Sequence, residues 1–397
     1  MPKPIVAIAR TKDGITEAVA KAASAACDLR SLVSGKQVVL KPNVFAPLPP
    51  PTTTDPRVVA ALALLVRDYG AKEVIVAEGR SISTAHFRKA HRTTRECYRV
   101  TGMEQAIVPT GARLIALEED EFVTLPIPDG RVLKETSVPR TIAEAEVLIS
   151  VPVLKIHSLT LITVAIKNLH GIVSDGDKLF GHSYRVLPDK LVDIVRLKRP
   201  QLTVVDAVLG QQADHADDGR PVKVGAVLAG RDPVAVDAVA SAVMGMDPLG
   251  VDTTRIAFET GVGEARLEQI EVVGTPIAEI RHQFALPDLE LSESRFPGLR
   301  IYGGDYCRSC QYYTRRGVDR LVEQGLLDPS HPLSLVIGRD PVVPDQLEGR
   351  VIILGDCACE SPSVKRLRDN LLLSNRLRFV YACPPMEFRI RAVDLLD

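Results

Sequence analysis

An α/β architecture is predicted, with a layered, mostly parallel-sheet large domain followed by a smaller α/β domain that carries most of the cysteines. Three features of the 397-residue sequence predict it: short β-branched runs alternate with helical patterns, several strand-like runs end on polar residues, and five of the seven cysteines lie at or beyond residue 307. The elements follow in chain order. PIVAIAR reads as a strand, the Ala-rich segment 15 to 27 as a helix, QVVLKPN as a strand, the segment 57 to 69 as a helix and EVIVAEG as a strand, a run of βαβ units. Between them, PLPPPTTTDP is a stiff loop, with Asp55 able to cap the next helix and Pro56 suited to its first turn. EVLISVPVL (146 to 154), LTVVDAV (202 to 208), VKVGAVLAG (222 to 230) and IEVVG (270 to 274) continue the sheet, with helices at 188 to 198 and 233 to 245. Periodicity weakens near residues 283 to 300, which sets a domain boundary at about residue 290. The second domain, 291–397, then reads as a helix at 315 to 325, strands in LSLVIG and RVIILGD, a helix at 362 to 374 and a strand in RLRFVYA.

Composition excludes several classes. The chain is 46% hydrophobic and 25% charged, with 49 Lys and Arg against 50 Asp and Glu, a formal net charge of -1. That balance, with 4% aromatics and no Trp, lacks both the basic footprint and the stacking surface of a nucleic-acid binder. No stretch approaches a membrane span, and the apolar run before Arg10 is too short for a signal-peptide core, so the cytoplasm is the expected compartment.

In a cytosolic chain a cysteine cluster reads as metal ligation or redox chemistry rather than as disulfides. Cys307 and Cys310 form a C-x-x-C pair; Cys357 follows RVIILGD and Cys383 follows RLRFVYA. If those two strands are parallel neighbours, their thiols emerge at the carboxyl edge of one sheet, where open α/β folds place ligands. Four thiolates from three loops match the usual ligand set of an iron-sulfur cluster, with zinc as the competing metal. Cys357 is preferred to Cys359 as the third ligand because it sits nearer the strand end. Cys27 and Cys97 read as small structural residues.

The large domain carries its own polar constellation. SVPVLKIHSLTLITVAIKNLH contains Lys155, His157, Lys167, Asn168 and His170 around an apolar stretch. Lysine is costly to bury without a partner, so two lysines there suggest an anion site or a proton donor, against the alternative that both snorkel to solvent. Lys41, Asn43, Glu78 and Asp206 stand at strand ends, where α/β enzymes collect their polar groups, although turns alone also call for Asp and Asn. The DGD of residues 175 to 177 reads as a turn.

The strings VVLKPNVF, TTTDP, VIVAEG, LISVPVLKIHS, VAIKNLHGIV, TVVDAV and DPVAVDAVASAVMG, in this order over about residues 4 to 265, resemble the domain of unknown function 362 family. The resemblance implies an iron-sulfur protein with an anion-friendly pocket, and points to Lys41, Asn43, Thr53, Asp55, Lys155, His157, Lys167, Asn168, His182, Asp206 and Asp237. The tail departs from that pattern, since it has no C-x2-C-x2-C-x3-C-P ferredoxin run; its GDC and CPP segments resemble the flavodoxin-like modules that hold a 4Fe-4S cluster in hydrogenase small subunits.

The sequence therefore leads to an iron-sulfur oxidoreductase. A 4Fe-4S cluster on Cys307, Cys310, Cys357 and Cys383 is expected to pass electrons from a ferredoxin or flavodoxin to a small anionic substrate held between the two domains. Lys155, His157 and Lys167 are the candidate catalytic groups; Lys41, Asn43, Thr53, Asn168, His182 and Asp206 are the candidate substrate-binding groups. A non-redox lyase or dehydratase with an open iron acting as Lewis acid, and a non-enzymatic electron carrier, stay open beside it, as does a homodimeric state.

Overall fold

β-Branched runs become strands because their stiff side chains pack well on a pleated surface that is covered on both faces. In the computed structural model, which describes residues 2–81, 93–183, 185–214, 219–371 and 377–396, the first such runs form β1 (Ile5–Arg10), β2 (Gln37–Pro42), β3 (Glu73–Glu78) and β4 (Arg113–Ala116). There follow β5 (Phe122–Pro126), β6 (Glu135–Pro139), β7 (Val147–Val151), β8 (Val153–His157), β9 (Leu161–Thr163), β10 (Leu202–Gln212), β11 (Arg220–Gly230) and β12 (Glu271–Gly274). The last four strands are β13 (Leu299–Gly303), β14 (Leu333–Ile337), β15 (Arg350–Leu354) and β16 (Leu377–Val380). The described residues divide into two compact units, Met1–Phe180 with Val186–Leu286, and Gly181–Arg185 with Pro287–Asp397.

The larger unit is built on a mixed sheet in the order β12-β1-β11-β10-β7-β2-β3-β4, with β8 pairing with β10 and β9 with β8. Its heart, β10-β7-β2-β3-β4, is parallel, whereas β11 runs antiparallel to both β1 and β10. β5 and β6 form a separate antiparallel pair. The single run expected over 146 to 154 is two strands, with Pro152 between them. The Ala-rich helix Ile15–Ala26 buries Ala18, Val19, Ala22, Ala23 and Ala26. In the same core the helix Pro56–Asp68 contributes Val58, Leu62 and Val66, packed with Leu40, Val76 and Ile149 of the sheet. Each such Val or Leu contributes roughly 1.5–3 kcal/mol. Asp55 caps the second helix by accepting from the Arg57 N–H, and Pro56 occupies its first turn. Cys97 is buried in this core from the helix Thr94–Val100.

Continuing from β2 the chain passes to β3 and β4 on one side, while β7 lies on the other side and leads towards β8 and β10. β2 and β7 therefore flank a topological switch point, and the crevice beyond their carboxyl ends is where an open parallel sheet receives ligands.

The smaller unit is a parallel sheet in chain order, β13-β14-β15-β16. Alternate residues serve two cores, as the period of two requires: Leu335, Ile337, Ile352 and Leu354 face one, Val336, Val351 and Ile353 the other. The helix expected at 315 to 325 begins earlier, at Arg308, with Cys307 at its N-cap. Of the helix expected over 362 to 374, Pro362–Leu371 is observed and 372–374 lie outside the described residues.

Candidate functional site

At the switch point the polar strand ends form one buried chain of hydrogen bonds. Lys155 Nζ donates to Asn43 Oδ1 at 2.8 Å and to the Thr52 carbonyl at 2.7 Å. Asn43 Nδ2 donates to Asn168 Oδ1 at 3.1 Å, and Asn168 Nδ2 donates to the Lys41 carbonyl and to Ser150 Oγ. Lys41 Nζ pairs with Glu78 Oε1 at 2.7 Å, both side chains being almost wholly buried. Glu78 in turn accepts from the N–H groups of Val44 and Gly79. Burial pushes the Lys41 pKa down against the opposing pull of Glu78. Burial, followed by the repulsion of Lys167, holds Lys155 well below the usual lysine range, and the Lys155 ammonium also lies 4.1 Å from the centre of the Phe45 ring.

Several residues expected to bind substrate have internal partners. Thr53 donates to the Leu48 carbonyl, within its own loop. Asp206 accepts from the backbone of Asp55 and Val208, and burial raises its pKa to about 7. Asp237 accepts from Ala165 and Ile166, and so fixes the start of the short helix Ala165–Asn168. The Nδ1 atom of His157 accepts from the N–H groups of Leu159 and Thr160 and closes the turn between β8 and β9. The DGD residues do not form an isolated turn: they open the helix Asp175–Leu179, capped by Ser174.

Lys167 differs from its neighbours. It is only half-buried, and among the described residues its ammonium makes no hydrogen bond or ion pair. Burial first, then Lys41, brings its pKa down to about 8, with Glu78 opposing. It also lies within electrostatic reach of Lys155 and Lys190. Lys190 is fully buried and donates to the carbonyls of Asp177, Lys178 and Phe180. Lys178 is buried on Asp175 and on the Arg80 carbonyl, beside a cavity of about 270 Å³ lined in part by Arg80, Phe122, Ser137 and Ser174. Lys167 thus has three other lysines, Lys41, Lys155 and Lys190, and one carboxylate, Glu78, within electrostatic reach.

The smaller unit gathers four thiols. The Cys310 thiol donates to Cys307, and this bond, more than the backbone N–H groups of Ser309 and Cys310 or the charge of Arg185, pulls Cys307 below the ordinary thiol value. Cys310 senses Cys357 and Cys383; burial raises the Cys383 pKa, and Cys307 and Cys357 add to the effect. Gly355, at φ +87 in the region that favours glycine, brings the end of β15 beside the thiols: a Cβ there would make ordinary contacts, 3.8 Å from Cys310 Sγ and 3.5 Å from the Ala382 carbonyl. Cys359 turns away, towards the carbonyls of Ile353 and Val380, in a packed core that raises its pKa to about 12. No group of three or more His, Cys, Asp or Glu side chains among the described residues is already arranged to hold a metal ion. The donor chemistry nonetheless suits a soft metal centre: four cysteines, one exposed, share one electrostatic neighbourhood, and metal would replace their protons.

His182 was expected with the large-domain residues; it belongs instead to the cysteine-bearing unit, because Gly181–Arg185 packs there. Sequence reasoning also missed Ser183 and Arg185 beside the thiols, and Lys178. No local spacing signals Ser183 or Arg185, whose partners are distant in sequence, whereas Lys178 pairs with Asp175 three residues before it, a helical spacing that the sequence offered.

A largely parallel sheet with polar groups gathered at its switch point, together with a thiol-bearing α/β unit, defines a two-unit α/β protein. The chain belongs to the family described as domain of unknown function (DUF362), whose model matches residues 38–242, just over half of its length. That span includes the buried network from Lys41 to Asp237 and none of the five clustered cysteines. A thylakoid-associated protein of Synechocystis sp. is 26% identical over 262 residues, 64% of this chain and 77% of that protein. Among solved structures, the lactate racemase apoprotein from Thermoanaerobacterium thermosaccharolyticum is similar at a TM-score of 0.41 and 11% identity, over 97% of this chain and 94% of that one. No helix among the described residues is long and apolar enough to cross a membrane.

Proposed function

We propose that the protein is a cytoplasmic iron-sulfur oxidoreductase. Its smaller unit would hold a 4Fe-4S cluster on Cys307, Cys310, Cys357 and Cys383, and its larger unit would bind a small anionic substrate at Lys167. The gathering of these four thiols, with Cys359 directed elsewhere, is the observation that carries the reading. When bound, such a cluster supplies electrons one at a time, so a ferredoxin or flavodoxin is the fitting donor. Lys167 Nζ has the free ammonium and the lowered pKa to hold an anion and to deliver a proton at neutral pH. The Lys155–Asn43–Asn168–Lys41–Glu78 chain keeps the backbone around it rigid.

Anaerobic preparation with iron and sulfide analysis tests this. Near-equal iron and acid-labile sulfide, with colour that bleaches on reduction, are expected. Ser at Cys307, Cys310, Cys357 or Cys383 should remove most of the iron, whereas Cys359→Ser should retain it. A colourless protein with one zinc per chain after iron-replete expression would sink the proposal, and iron lost from Cys359→Ser but kept in Cys357→Ser would exchange the third ligand.

A further inference from the structure

Five residues from the middle of the chain, Gly181–Arg185, pack with Pro287–Asp397 rather than with the unit that precedes and follows them. The start of this strap is fixed by Lys190, whose three N–H bonds hold the carbonyls of Asp177, Lys178 and Phe180. Two of its side chains, Ser183 and Arg185, stand near the thiols. Ser183 is 5% exposed and its hydroxyl is hydrogen-bonded to Cys383. Arg185 lies within electrostatic reach of both Cys307 and Cys357, and is held at 2.7 Å by Asp305, two residues before Cys307.

We infer that this strap is the outer shell of the thiol site, in which Ser183 and Arg185 are positioning residues that set the redox potential of the metal centre. The inference rests on the iron-sulfur reading of the four cysteines and names the groups that would tune it. Reduction adds negative charge to a thiolate-ligated cluster. A hydroxyl donating to a ligand sulfur and a guanidinium nearby both stabilise the more negative state, and so raise the potential. Asp305 acts in the opposite sense, because its carboxylate offsets the charge of Arg185.

The test is a redox titration of the anaerobically reconstituted full-length protein, followed by its optical or paramagnetic signal, with iron and sulfide measured in the same samples. Ser183→Ala and Arg185→Gln should keep their iron and shift the midpoint potential downward, the double variant further than either. Arg185→Lys should restore most of the second shift. Asp305→Asn should move the potential upward, an opposite sign that loosened packing alone would not produce. Unmoved potentials in an iron-loaded protein would overturn the inference and leave the cofactor assignment standing. So would shifts of one sign in Arg185→Gln and Asp305→Asn. Iron lost from Ser183→Ala or Arg185→Gln would overturn it as well, by making these residues part of holding the metal. A wild-type chain without iron and sulfide would overturn the cofactor reading and this inference together.

Discussion

Lys167 is separated from the other strand-end lysines by what it lacks. Lys41 and Lys155 give their N–H groups to Glu78, Asn43 and backbone carbonyls, whereas the Lys167 ammonium makes no hydrogen bond or ion pair among the described residues. Its pKa of about 8 has a direct consequence. Below pH 8 it is a cation, and if it holds an anion as proposed, affinity should fall as pH rises through 8 and the proton is lost. The neutral fraction is readable without knowing the substrate, because only a neutral amine reacts with an acylating or reductive-methylation reagent. Labelling followed residue by residue in a mass spectrometer should give Lys167 a midpoint near 8, with exposed lysines titrating near 10.4. A Lys167 midpoint above 10 would remove it as a candidate proton donor. At this scale the proximity of the thiols was legible, because cysteines at the ends of neighbouring parallel strands share one sheet edge. The fate of each lysine was not. Whether an ammonium is free or paired depends on partners such as Glu78, 37 residues from Lys41 in sequence, and a sequence motif does not say which neighbour arrives.

At the scale of elements, the alternation of β-branched runs and helical patterns was sufficient to locate β1, β2, β3, β7, β10, β11 and most of their helices. Strand direction was not legible: β11 is as apolar as the parallel strands β2 and β7, yet it is antiparallel to both of its neighbours, β1 and β10. The 3₁₀ turn Leu169–Ile172, which follows the helix Ala165–Asn168, shows how closely these elements approach. A Cβ on Gly171 would stand 2.3 Å from Glu78 Oε1 and 2.9 Å from Lys41 Nζ. Nothing larger than glycine fits unless that ion pair opens. Removing one partner of a buried pair costs roughly 3–5 kcal/mol, and Gly171→Ala is expected to lose a large part of that as a lowered urea midpoint of the larger unit. Gly176→Ala is the control. It lies on the nearby helix Asp175–Leu179, where an added methyl meets nothing closer than 3.8 Å, and it should leave the midpoint unchanged or slightly raised. Equal effects at the two positions would mean that the Lys41–Glu78 pair adapts and is not a fixed support of the site.

For the whole molecule, a weakening of periodicity and a crowding of cysteines were legible near residue 290; the two compact units divide after Leu286. The strap at Gly181–Arg185 was not, because a five-residue excursion leaves no trace in composition. The two units have separate cores. The large cluster around Val19, Leu40 and Leu62 shares no residue with the clusters around Leu335 and Val336. A group bound only in the native state stabilises the unit that binds it, by mass action. Metal held by the four thiols should therefore raise the unfolding temperature of the smaller unit and leave that of the larger unit where it was. Since about 1 kcal/mol shifts the midpoint of a domain of roughly 100 residues by about 4–8 °C, even a modest contribution is measurable. Scanning calorimetry under argon, on the iron-loaded protein and on the same sample after chelation, should show two transitions in the first and a downward shift of one in the second. Lys167→Ala should leave both transitions in place, because the free ammonium supports neither core. A single transition that moves as a whole when iron is removed would show that the metal stabilises the entire chain, and the assignment of holding metal to one unit and binding anion to the other would fall.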